Sequence, residues 1–156
     1  MKWYFVVGFT ILVMFTTIAI RIPVPGGGYF NLGDVLIVFC GLYTGKTTGL
    51  IAGGIGSALA DLVGFPIFAP ITLVAKGLLG LFSGFGHGKS KLPSILFPLL
   101  GAILMVIVYF AGTWLMPAFG QAVALADLVP NIIQASLGLL GGRLLYEAFV
   151  KLERVS

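Results

Sequence analysis

Lys46-Thr-Thr-Gly-Leu-Ile-Ala-Gly-Gly-Ile-Gly-Ser-Ala-Leu-Ala-Asp-Leu-Val63 decides the fold. A lysine opens it, an aspartate stands near its far end, and nothing charged lies between. A run that is small and apolar on every side is a span or a core helix, not a surface one. The same polarity repeats in both directions along the chain. Seven of the nine Lys and Arg residues (Lys2, Lys46, Lys89, Lys91, Arg143, Lys151 and Arg154) fall where every second apolar stretch ends. Asp34, Asp61 and Asp127 fall toward the opposite ends. Cytoplasmic loops retain Lys and Arg, so the alternation predicts a multi-pass membrane protein with both termini inside the cell.

Composition agrees. Hydrophobic residues make up 59% of the 156 and charged residues 9%, against roughly 25% in soluble domains. Lipid is therefore the expected solvent, and residues 1–156 form one domain. The net charge of +4 comes from the inner loops and gives no support to nucleic-acid binding. Cys40 and His87 are single, which excludes an internal disulfide and any Cys/His metal cage.

A spanning helix takes about 20 apolar residues, and six fit. Span 1, Trp3 to Ile20, lacks a small-x-small cleavage site and reads as retained; Pro23 and Pro25 stop it. Gly26-Gly-Gly28 then loops to Tyr29-Phe30-Asn31. Span 2, about Leu32 to Tyr43, is too short for a full crossing. Span 3 covers Thr47 to Val63, span 4 Ile67 to Phe85, and span 5 Pro93 to Leu115. Met116 to Val129 is expected as an outer connection, with span 6 from Pro130 to Tyr146. Gly49 and Gly53, and Gly80 and Gly84, are four apart, a spacing that lets helices pack closely or offers a partner a smooth face.

Lys76 lies near the middle of span 4, where a charge costs a few kcal/mol, so it needs Asp61 or Asp34 as partner, or a wet cavity. Asn131 and Gln134 share a helical face and offer donors and acceptors to a heterocycle. Asn31 and Asp34 suit helix capping as well as a ligand, and Asp127 suits a cap for span 6. Tyr29, Phe30 and Trp114 are placed to stack on a ring or to anchor at the interface. Two enzyme-like motifs fail. Gly41-Leu-Tyr-Thr-Gly-Lys-Thr47 is one residue short of a phosphate loop and follows a span rather than a strand. Asp34 and Asp61 lack the Tyr-Asp motif of intramembrane proteases.

Three blocks, Gly28-Tyr-Phe-Asn-Leu-Gly-Asp-Val35, Gly49 to Leu62, and Ala69-Pro-Ile-Thr-Leu-Val-Ala-Lys-Gly77, resemble the S components of energy-coupling factor (ECF) vitamin transporters. The resemblance runs to Pro130-Asn-Ile-Ile-Gln134 and is nearest the branch handling pyridoxine, hydroxymethylpyrimidine or riboflavin. It implies an all-α, six-helix membrane protein of the prokaryotic plasma membrane that performs no chemistry and uses no cofactor or metal. Its implied partners are a transmembrane coupling protein and two ATPase subunits. The implied vitamin site takes Tyr29, Phe30, Asn31, Asp34, Asp61, Lys76, Trp114, Asn131 and Gln134, with pyridoxine or hydroxymethylpyrimidine favoured over riboflavin. Many family members dock through an Ala-x-x-x-Ala pair on helix 1; span 1 has no such pair, and Gly8, Thr16 and Ala19 supply small residues instead. A membrane scaffold and a channel are the competing classes, though no filter-like run favours a channel.

Overall fold

The computed structural model describes residues 3–24 and 28–153. Lys2, Pro25, Gly26, Gly27 and Arg154, used above for topology and the first loop, lie outside them. Six α-helices follow in order: α1 (Trp3–Ala19), α2 (Gly33–Thr44), α3 (Lys46–Gly64), α4 (Ala69–Phe85), α5 (Pro93–Leu115) and α6 (Gly120–Glu153). A 3-10 turn, Pro66–Phe68, leads into α4. Between α1 and α2 a minimal hairpin pairs β1 (Ile22–Pro23) with β2 (Tyr29–Phe30) antiparallel, Ile22 opposite Phe30. Four segments are long and apolar enough to cross a membrane: α3, Pro66–Phe85, α5 and α6. The apolar helices α1 and α2 are shorter, at 17 and 12 residues.

The central element is α2. Eight of its 12 residues are buried, and Ile37, Val38 and Leu42 pack with Val13 of α1, Leu79 of α4 and Met105 of α5 in one apolar core. At 1.5 Å per residue α2 is about 18 Å long. It therefore stops short of the end of the bundle that carries the hairpin.

The glycine spacing of α3 and α4 resolves as internal packing. A Cβ on Gly80 would stand 1.9 Å from the carbonyl oxygen of Gly49, and one on Gly49 would stand 2.2 Å from that of Gly80. The two backbones touch, so only glycine fits at this crossing. A partner's sliding surface cannot be made from these residues.

The start of α6 corrects the sequence reading. Pro130 is inside the helix, not at its first turn, and Asp127 is a mid-helix residue instead of a cap. The helix begins ten residues earlier at Gly120, whose φ of 75° is a left-handed conformation natural to glycine. Met116–Val129 is thus largely helical. Pro130 leaves one carbonyl unpaired, which membrane helices tolerate when neighbouring groups or waters satisfy it. The 34 residues of α6 span about 51 Å, well beyond a hydrocarbon core of about 30 Å.

Candidate functional site

Beyond the first turn of α2 lies a cavity of about 40 Å³, room for a few waters. Every helix except α2 contributes to its wall: Thr17 from α1, Ser57 and Asp61 from α3, Thr72 and Lys76 from α4, Tyr109 from α5, and Asp127, Asn131 and Gln134 from α6. Tyr29, Phe30 and Asn31 close the side nearest the hairpin. The short second helix makes the space, and its neighbours line it.

Beneath the cavity four buried side chains form a continuous polar chain. The Gln134 Oε1 accepts from the Asn31 backbone N–H at 2.8 Å and from Asn31 Nδ2 at 3.2 Å. Its Nε2 donates to Asp34 Oδ2 at 3.1 Å. The other carboxylate oxygen of Asp34 takes the Lys76 Nζ at 2.5 Å. Asn31 Oδ1 accepts from the Gly33 N–H at 2.8 Å, two residues on, tying the chain to the start of α2. Lys76 thus has its partner in Asp34 on α2. Every group in the chain is hydrogen-bonded, as burial at this depth requires.

Asp61 belongs to a second cluster nearer the hairpin. Its Oδ1 accepts from the Tyr29 hydroxyl. The Tyr29 ring lies against Phe65 with centroids 4.6 Å apart, and the Arg21 guanidinium sits 5.0 Å from the Tyr29 centroid. Arg21 Nη2 also donates to the carbonyl of Ala60, which pins the loop to the end of α3. Burial first, and then the negative charge and acceptor of Asp61, push the Tyr29 hydroxyl well above the usual tyrosine range. It therefore remains a donor at any ordinary pH.

Three wall atoms have no protein partner: Thr17 Oγ1, Ser57 Oγ and Asp127 Oδ1. Their residues are 1%, 1% and 6% exposed. Arg21 Nε is the one other orphan among the described residues. Buried polar groups are rarely left unmatched, and each such atom costs about 1–3 kcal/mol. Three of them surround one cavity, where water or a polar guest can supply the missing partners. Thr72 and Tyr109, whose hydroxyls lie 2.9 Å apart, complete the wall.

Of the nine residues expected at the site, seven line the cavity: Tyr29, Phe30, Asn31, Asp61, Lys76, Asn131 and Gln134. Asp34 lies just behind them, holding Lys76 and Gln134. Trp114 is not brought there. It is 48% exposed and meets Phe110 edge-on at 5.5 Å, because it follows the outward face of α5 and not the face carrying Tyr109. Thr17, Ser57, Thr72 and Tyr109 were missed, and so was Asp127, which was assigned only a helix cap. The usable signal was hydroxyl groups recurring in otherwise apolar spans on faces that also carry Asp61 (Ser57) or Lys76 (Thr72), one turn away. On α1, Gly8 and Ala19 are exposed and Thr16 is half-buried. No group of three His, Cys, Asp or Glu that could hold a metal occurs among the described residues.

Comparison with known proteins bears directly on this arrangement. The chain is 40% identical over 135 residues, 84% of its length and 90% of the relative's, to a Pyrococcus woesei protein described only as an uncharacterized protein in the gap 3′ region. Residues 4–151 match the family model for the S component of ECF-type riboflavin transporters. The apolar multi-helix bundle is what a multi-pass cell-membrane protein of that kind requires. On that match, which spans nearly the whole sequence, the chain belongs to the ECF-type riboflavin transporter S component family.

Proposed function

We propose that this chain is a vitamin-capturing S component that crosses the membrane six times, with both termini in the cytoplasm and the hairpin end outside. The positions of the basic residues support this orientation: His87, Lys89 and Lys91 join α4 to α5 at the end opposite the cavity. The ligand enters beside Tyr29 and Asp127 and is passed inward by a transmembrane coupling protein with two ATPases. ATP hydrolysis belongs to those partners. Gly8 and Ala19, exposed on α1, with Thr16, form the contact with the coupling protein.

The observation that carries the reading is the set of unpartnered polar atoms on Thr17, Ser57 and Asp127 around one cavity. Their chemistry narrows the ligand. Carboxylates outnumber cations on the wall, since Asp61 and Asp127 stand beside a Lys76 whose charge is already matched by Asp34. A guest rich in hydrogen-bond donors fits such a site. The small volume favours one ring over three, so a hydroxymethyl-bearing heterocycle of the pyridoxine or hydroxymethylpyrimidine type is the first choice. Riboflavin is the second reading, favoured by the name of the family model; either guest requires a cavity of about 40 Å³ to widen, and riboflavin requires the larger change, toward the 300 Å³ or so of an ordinary ligand pocket.

Calorimetric titration of the purified protein with all three compounds tests this. Saturable binding of a one-ring vitamin supports the first choice, and tight binding of riboflavin alone transfers the assignment. A chain that binds no B vitamin fits a membrane scaffold better, and ion flux through vesicles holding this chain alone indicates a channel.

A further inference from the structure

A groove runs along the lipid-facing side of the bundle between α5 and α6. It consists of two adjoining concavities of about 540 and about 290 Å³ that share Leu99, Ser136 and Leu139. Both are more open than the polar cavity, and the protein's own side chains leave them uncovered on one side. The floor at the basic end includes Val38 and Leu42 of α2, and the walls are almost wholly aliphatic. From Ser94 to Ile107 the groove follows α5 for about 20 Å, slightly more than one leaflet of a hydrocarbon core about 30 Å thick.

One cation marks its end. Pro98 has no N–H, so the carbonyl of Ser94, four residues earlier, has no helical donor. Arg143 of α6 reaches across to it, with Nη1 3.3 Å from that oxygen and 2.6 Å from Ser94 Oγ. Its Nε donates to Glu147 at 2.7 Å. These contacts hold the guanidinium at the mouth of the groove and use Nε and Nη1, leaving Nη2 for another acceptor. Glu147 is half-exposed and solvated, and so opposes an incoming anion only weakly. Ser94 Oγ in turn donates to the Lys91 carbonyl at 2.9 Å, which fixes the acceptor that Arg143 uses.

We propose that this groove binds one acyl chain of an anionic phospholipid, with its phosphate on Arg143. Length, apolarity and a fixed cation at the interface match that occupant in order. Anionic lipids concentrate at the cytoplasmic surface and attract such basic positions. The inference rests on the orientation proposed above, which puts the Arg143 end inside. Arginine suits phosphate because its planar fork binds two oxygens at once.

Native mass spectrometry of the delipidated full chain, with dioleoyl phosphatidylglycerol or dioleoyl phosphatidylcholine added, tests it. The expected result is one retained phosphatidylglycerol, favoured about tenfold over phosphatidylcholine. Arg143→Gln should abolish that preference, and Ser136→Trp, which fills the groove from its exposed side, should abolish retention of both. Vitamin affinity, measured in parallel, should be unchanged in both variants, so a failed vitamin titration and a failed lipid result remain separate. Equal retention of the two lipids by the unaltered chain overturns the proposal. So does a Ser136→Trp chain that still holds phosphatidylglycerol.

Discussion

Lys76 and Asp34 form a buried ion pair, Nζ to Oδ1 2.5 Å, with the two side chains 2% and 1% exposed. It joins α4 to the central helix immediately beneath the cavity. Removing one partner of such a pair strands the other charge, which costs about 3–5 kcal/mol. Lys76→Met should therefore lower the thermal midpoint of the ligand-free protein sharply, and adding Asp34→Asn should recover part of the loss. If Lys76→Met alone melts like the unaltered chain and keeps its vitamin affinity, the pair matters to neither folding nor binding.

The unpartnered wall atoms predict effects of opposite sign on stability and binding. Thr17→Val and Ser57→Ala each remove a buried hydroxyl that lacks a protein partner, so the empty protein should be as stable or more so. Vitamin affinity should fall about tenfold for each, the equivalent of about 1.4 kcal/mol. Melting curves with and without ligand read both quantities at once. A loss of stability with unchanged affinity would mean these hydroxyls serve packing alone.

Close helix contact gives a positional prediction. Gly80→Ala places a methyl where the Gly49 carbonyl already stands, so the α3–α4 crossing must separate and yield of folded protein should drop. Gly8→Ala meets nothing within 4 Å and should fold normally. Bulkier Gly8→Trp should keep vitamin affinity yet weaken co-purification with the coupling protein. Undiminished co-purification would remove Gly8 from the docking face.

Much of this was legible in the chain. Pro93 and Leu115 bound α5 as expected, since proline suits a first helical turn and the run between them is unbroken. A lone mid-span lysine demanded a carboxylate, and Asn131 and Gln134 were placed together by helical spacing alone. The errors have one kind of cause. Pro130 was read as a helix start because proline is favoured there, while the glycine that breaks the backbone, Gly120, lies ten residues earlier. Trp114 was assigned by its depth in the membrane, but depth does not say which face of α5 it occupies. Thr17 and Ser57 look like ordinary small residues at helix contacts; only the three-dimensional arrangement shows their hydroxyls facing a cavity without partners.

Tyr29 supplies a pH prediction. Its hydroxyl is held above the usual tyrosine pKa of about 10 by burial and by Asp61. A raised folded-state pKa contributes stability that is full below the unfolded value and lost progressively as pH rises from there through the folded one, while the folded hydroxyl itself stays protonated across that window. Alkaline spectrophotometric titrations of the unaltered chain and Tyr29→Phe should therefore superimpose up to about one unit above that ordinary value. A tyrosinate signal missing from Tyr29→Phe in that range would mean that the residue is solvated and Asp61 is not its partner.

Calorimetric titration of the unaltered chain and of Asp127→Asn with pyridoxine and hydroxymethylpyrimidine is the decisive measurement for the vitamin site. Asp127 lines the cavity with an unpartnered carboxylate oxygen, and the account predicts one saturable site for at least one of these compounds, weakened about tenfold or more by the substitution. Binding of neither compound, or binding that Asp127→Asn leaves untouched, would contradict it.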